Sequence, residues 1–259
     1  MPVIESNGCP IHVEVEGPPD APVLMLSSSL GTTKHMWDPQ AKAFANKYRI
    51  VRYDRRGHGR SGVPKGPYSM ELLARDAINV MDGLDLKKVN WLGLSMGGME
   101  GMWLGANAPE RIDKLILSNT STYYADKTPW NARIKAVSEA GSVTAIADMV
   151  INVWLTKPFQ ERHPDVTARL KEMMIATPAD GYVSCCAAVR DMDHREIIRG
   201  IKAPTLIMAG SKDPATNVEA AEFMRDRISG SKLVILDAAH ISNVEQPEAY
   251  AKEVLGFLH

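Results

Sequence analysis

The chain has 259 residues, 45% of them hydrophobic and 24% charged, with a formal net charge of −1. That length can bury one large core, and the composition is ordinary for a soluble globular protein, neither disordered nor fibrous. Its 30 Lys and Arg against 31 Asp and Glu form no long basic run. Nucleic acid and anionic membranes, which both demand a concentrated basic face, are therefore disfavoured as partners.

Residues 1–8 lack the basic and apolar regions of a signal peptide. No apolar run approaches the roughly 20 residues of a membrane span, so a cytoplasmic protein is expected. Ile11–Val15, Val23–Leu26 and Arg49–Tyr53 read as early strands, and Val89–Leu94, Lys114–Leu117, Thr205–Met208 and Leu233–Leu236 continue the series. These Val/Ile/Leu-rich runs show little polar alternation, as in strands buried on both faces of a parallel sheet. Between them, Met70–Leu84 places Leu73, Ala77, Met81 and Leu84 at helical spacing. Met96–Ala106, Pro214–Ile228 and Pro247–Leu258 read as further helices. The alternation predicts an α/β fold with helices on both faces of the sheet.

From about Ser121 to Ile198 that rhythm breaks into helix after helix, punctuated by Pro129, Pro158, Pro164 and Pro178. Residues 1–120 and 199–259 are thus expected to form one α/β core, and residues 121–198 an inserted all-helical cap. The cysteines, Cys9, Cys185 and Cys186, are odd in number and lack metal-ligand spacing. A disulfide framework is not expected, and reduced thiols fit better.

Gly93-Leu94-Ser95-Met96-Gly97 is a G-x-S-x-G pattern that follows a strand-like run and precedes a helical one. A serine hydroxyl attacks well when it projects from a tight strand-to-helix turn, which small flanking residues permit. It needs a base, because its hydroxyl is barely ionised at neutral pH. His240 follows the strand Leu233–Leu236 at the sheet edge, while His12, His35 and His58 precede the serine. His163 and His194 fall in or at the end of the helical segment, and His259 ends the sequence. Asp213 follows the strand Thr205–Met208 and is the favoured acid, although an Asp before Pro is also a good helix N-cap. Asp237 competes, but only three residues before His240 it is poorly placed to face the imidazole. Two backbone donors should stabilise an oxyanion: the Met96 amide and, from the loop Ser27–Thr32, the Leu30 amide.

These residues resemble the α/β-hydrolase superfamily, and within it the 3-oxoadipate enol-lactonases. The likeness rests on Leu26–Thr32 with Met36-Trp37-Asp38, Arg52–Gly59, Gly66–Ser69 and Gly93–Gly98. It continues through Trp103–Gly105, Ser118–Thr120, Trp130–Ile134, Gly181–Asp191 and Ala239–Asn243, and so spans the chain. Departures from the family pattern fall at Ser28, Arg55, Ser118 and Cys185, of which Ser28 and Cys185 are expected to bear on substrate fit. The resemblance implies a carboxylic ester hydrolase of aromatic degradation that opens a small enol-lactone carrying a carboxymethyl arm. No metal or organic cofactor is implied. The substrate carboxylate should meet a cation, Arg133 first and Arg190 second, with Trp130, Trp154 and Tyr182 as candidate pocket walls. Another carboxylesterase, lactonase or carbon–carbon bond hydrolase on the same fold stays open, as does a slow-turnover ligand receptor. Whether the chain forms a homo-oligomer is not legible. Ser95 disfavours dehalogenases and epoxide hydrolases, which carry Asp at that position.

Overall fold

Strands whose side chains are apolar on both faces can satisfy their backbone only in the middle of a covered sheet. The computed structural model, which describes residues 2–259, has such a sheet, of eight strands in the order β1-β2-β4-β3-β5-β6-β7-β8. The strands are β1 Val3–Ser6, β2 Cys9–Glu16, β3 Val23–Ser27, β4 Arg49–Tyr53, β5 Val89–Leu94, β6 Ile112–Ser118, β7 Thr205–Gly210 and β8 Lys232–Leu236. β2 is antiparallel to β4, and the pairs from β4 across to β8 are all parallel. Every residue of β5 and β7 is buried. Each fully buried Leu or Ile there contributes about 1.5–3 kcal/mol relative to exposure. β8 departs from the expected double burial: as the edge strand it leaves Ile235 48% exposed.

Helices α1 Asp38–Phe44, α2 Met70–Gly83 and α3 Met96–Asn107 connect the first strands. Ser69 starts α2 by accepting from the Leu72 amide, and Leu73, Ala77 and Met81 form its buried face. Between β6 and β7 lie α4 Thr128–Ala140, α5 Ala147–Trp154, α6 Lys157–Arg162, α7 Pro164–Ile175 and α8 Ala179–Asp191. That stretch contains no strand among the described residues; an isolated bridge between Tyr123 and Asp193 closes its base. α9 Val218–Arg225 precedes β8, and α10 Ser242–Glu245 and α11 Pro247–Leu258 follow it. No helix among the described residues is long and apolar enough to cross a membrane.

Two further elements differ from the sequence reading. β1, not anticipated, pairs with β2 through a turn in which Asn7 and Gly8 both take positive φ, the signature of an Asn-Gly hairpin. The helix expected from Pro214 begins only at Val218, capped by the Asn217 side chain. The amides of Ala215 and Thr216 bond the Asp213 carboxylate instead of entering a helix.

Candidate active site

The C-terminal ends of the parallel strands converge, and the segments that leave them carry the polar groups of the site. This is where open α/β sheets generally bind ligands. β5 turns into α3 at Ser95, whose φ of 57° and ψ of −115° lie outside the regions an L-residue normally adopts. The glycines around it are obligatory. A Cβ on Gly93 would overlap the backbone of Gly97, and one on Gly97 would overlap Ser27. The turn is held by its own carbonyl: Ser95 O accepts from Thr120 Oγ1 at 2.7 Å and from the amides of Gly98 and Met99.

Ser95 Oγ lies 2.9 Å from His240 Nε2, and His240 Nδ1 lies 2.8 Å from Asp213 Oδ2. The carboxylate can only accept, which puts the imidazole proton on Nδ1 and leaves Nε2 free to take the serine proton. All three side chains are buried. Asp213 Oδ2 also accepts from Thr216 Oγ1 at 2.6 Å and Asn119 Nδ2 at 3.1 Å, while Oδ1 takes the amides of Ala215 and Thr216. Burial alone would raise this carboxyl's pKa. The imidazole beside it and the hydrogen bonds from His240 and Thr216 outweigh burial and hold it down at about 2. Asp237, the competing acid, is exposed and pairs with Lys212 at 2.7 Å.

Ser95, Met96, Leu30 and His240 line a cavity of about 300 Å³. Neither the Leu30 nor the Met96 amide has an acceptor among the described residues. The helical segment forms the opposite wall, with Trp130 and Arg133 from α4, Trp154 from α5, and Tyr182 and Val189 from α8. Trp130 and Arg133 stand one helical turn apart, so the guanidinium sits 4.7 Å from the indole centroid. Arg133 donates to Tyr182 Oη at 3.4 Å and has no carboxylate partner among the described residues. Asp126, also on the cavity wall, is engaged by the Thr128 amide.

Arg190, the second carboxylate candidate, is not in this cavity. It pairs with Asp191 at 2.7 Å, donates to Asn131, and lines a separate groove beside Lys65. The reason is helical geometry: Val189 faces the cavity, and one residue further along α8 turns the side chain about 100° away. Ser28 and Cys185, expected to bear on substrate fit, do not line the cavity either. Ser28 Oγ donates to Thr33 O, and the fully buried Cys185 thiol lies beneath, near Arg56 O. Arg55 lies under the loop too, in a buried ion pair with Glu100 at 2.8 Å, and donates to Ser28 O and Ser27 Oγ. Ser118 donates to Asn119 Oδ1.

Reading the residues did not single out Asn119, Thr216, Glu245 or His58 as parts of the site. Asn119, at a positive φ of 44°, ties Asp213 to Ala239 O and accepts from Ser242. Glu245 accepts from the Ala239 amide and, at 2.7 Å, from both the amide and hydroxyl of Thr156. The Ile241 amide meanwhile bonds Trp154 O, so the loop carrying His240 is fastened directly to the α5–α6 junction.

A parallel sheet with a serine raised on its central strand turn, backed by histidine and aspartate, is the arrangement of an α/β-hydrolase. The chain belongs to that family: the family model described as alpha/beta hydrolase fold matches residues 22–247. More particularly, it is similar to two 3-oxoadipate enol-lactonases of Acinetobacter baylyi. Enol-lactonase 2 is 40% identical over 90% of this chain and 87% of its own length; enol-lactonase 1 is 35% identical over 99% and 96%. The crystal structure of the enol-lactonase from Burkholderia xenovorans superposes with a TM-score of 0.97 at 38% identity, covering 99% of each chain.

Proposed function

We propose that this hydrolase opens 3-oxoadipate enol-lactone to 3-oxoadipate, in the degradation of aromatic compounds, through an acyl-enzyme on Ser95. The observation that carries the reading is the pairing of an aligned Ser95–His240–Asp213 chain with an arginine that has no carboxylate partner among the described residues, across a small, largely apolar cavity. The enol-lactonase relatives supply the substrate class.

His240 Nε2 takes the Ser95 proton as Oγ attacks the lactone carbonyl, and Asp213 stabilises the imidazolium that forms. The amides of Leu30 and Met96 donate to the developing oxyanion. Collapse breaks the ring C–O bond. The enol oxygen takes the proton from His240 and tautomerises to a ketone, while the other end stays esterified to Ser95. Water, deprotonated by His240, then attacks the ester, and the returning proton regenerates the serine hydroxyl. Arg133 pairs with the carboxymethyl arm, and Trp130, Trp154 and Tyr182 wall the ring. Helices α4–α8 serve as the cap that keeps bulk water from the acyl-enzyme.

The test is loss of the lactone's ultraviolet absorbance, with Ser95→Ala and a nitrophenyl ester run alongside. Multiple turnovers on the lactone, absent in Ser95→Ala and far slower on the ester, are expected. Ester cleavage without lactone cleavage would refute the substrate while keeping the nucleophile. Stoichiometric binding without turnover would point to a receptor.

A further inference from the structure

We infer that His58 is a positioning residue for the oxyanion hole, holding the loop so that the Leu30 amide points into the cavity. This rests on the role proposed above for Leu30.

The Gly31 amide donates to His58 Nε2 at 2.9 Å, and the other ring nitrogen lies 3.4 Å from Arg56 O. A backbone N–H can only donate, so Nε2 is the bare nitrogen and Nδ1 carries the proton toward the Arg56 carbonyl. The ring is fully buried beside the Arg55 guanidinium. Burial first, and that charge second, keep it neutral, with a pKa lowered to about 3. It therefore remains an acceptor throughout the range in which an imidazole base can work.

Two peptide planes flank Leu30, and each is tied down. Ser29 O accepts from the Thr32 amide at 3.3 Å and its hydroxyl at 2.8 Å. Across that trans peptide, the Leu30 N–H must point the opposite way. The next plane carries the Gly31 N–H, and His58 fixes it. Thr32 follows that second plane, so without the His58 acceptor rotation about the Leu30 and Gly31 dihedrals would displace Thr32, and with it the two bonds that hold the Leu30 donor on its line. Gly31 sits at a φ of +80°, where a Cβ would overlap the Met174 sulfur, so α7 seals the loop from above. His58 itself is braced, because Gly57 packs backbone-to-backbone on Gly181 of α8. The histidine thus lies between the oxyanion loop and the wall that faces it.

The experiment compares His58→Phe, which fills the space without an acceptor, with His58→Gln, whose side-chain oxygen can replace Nε2. Both are assayed for kcat, KM and Tm on whichever lactone or ester the wild type turns over, and for inhibition by phenylboronic acid, whose serine adduct places an oxygen at the oxyanion site. The expected result is a kcat loss in His58→Phe of roughly ten- to hundredfold, below the loss from deleting an oxyanion donor outright. KM should stay within about twofold, boronate inhibition should weaken in parallel with kcat, and His58→Gln should recover most of the loss. If His58→Phe does not fold, His58→Leu against His58→Gln reads the same contrast. Wild-type kcat in the apolar variant would overturn the inference alone, as would losses in both variants that track Tm rather than the acceptor. Turnover that survives Ser95→Ala would instead bring down the nucleophile assignment, and the inference with it.

Discussion

Behind His240, Asp213 receives hydrogen bonds from Asn119, His240, Ala215 and Thr216, whereas on the helical wall of the cavity Arg133 meets, among the described residues, only a tyrosine hydroxyl, an indole face and a thioether. Arg133 lines the cavity itself, and Asp213 stands one residue back from it, behind the imidazole. The aspartate is saturated by the protein, so its position is fixed before any ligand arrives. The arginine is left with unused donors, which suits the anion-binding role proposed for it. On the proposed function, the strand ends build a preorganised reaction centre, and the helices build an unfinished binding site.

The sharpest way to break the contrast is at Asp213. Asp213→Asn keeps the size but can present an N–H to the imidazole, favouring the tautomer that cannot accept the serine proton. A fall in kcat of about 10⁴ is expected, read from steady-state turnover of the lactone. The same group sets an acid limit on stability. Its folded pKa of about 2 lies below the ordinary 3.8, so between these values the unfolded chain binds the proton first and stability rises with pH. About 2 kcal/mol is present above pH 3.8 and lost as pH falls through about 2. Chemical denaturation of wild type and Asp213→Asn at pH 5 and at pH 2.5 measures it; equal pH slopes in the two would refute the linkage.

A smaller effect, confined to binding, is expected on the opposite wall. Arg133→Gln should raise KM for the carboxylate-bearing lactone roughly ten- to hundredfold, the range of a charge-assisted hydrogen bond, with kcat nearly kept. Cleavage of a neutral nitrophenyl ester should change little. Equal losses on both substrates would mean that Arg133 supports the wall rather than binds an anion. The smallest effect belongs to Arg190. It already pairs with Asp191 outside the cavity, so Arg190→Ala should leave KM within about twofold and stability within about 0.5 kcal/mol.

The two regions also differed in how far they could be read from sequence. Ser95 announced itself because the sterics of its turn demand glycine on either side, a local requirement with a local signature. His240 and Asp213 followed from chain order and strand-end position. Asn119 and Glu245 had no such signal, since each acquires its meaning only when folding brings it to a partner far along the chain. His58 was visible as part of a Gly-His-Gly motif, yet nothing in that motif names Gly31 as its partner. In the helical segment the sequence ranked Arg133 ahead of Arg190 as the anion's partner, but that Arg190 lies outside the cavity follows from the rotation of α8, which the sequence alone does not display. β1 was missed although Asn7-Gly8 is a recognised hairpin turn, because the four-residue strand before it is short and half polar.

The grip of Glu245 on both Ala239 and Thr156 bears on how this pocket could be remodelled. Trp154 and the loop carrying His240 share that anchorage, so they form one mechanical unit. Widening the pocket from α5 would disturb the imidazole's alignment along with the substrate's room. α4 contributes Trp130 and Arg133 without any hydrogen bond to that loop among the described residues, which makes it the face on which selection, natural or in the laboratory, can change the guest without retuning the chemistry.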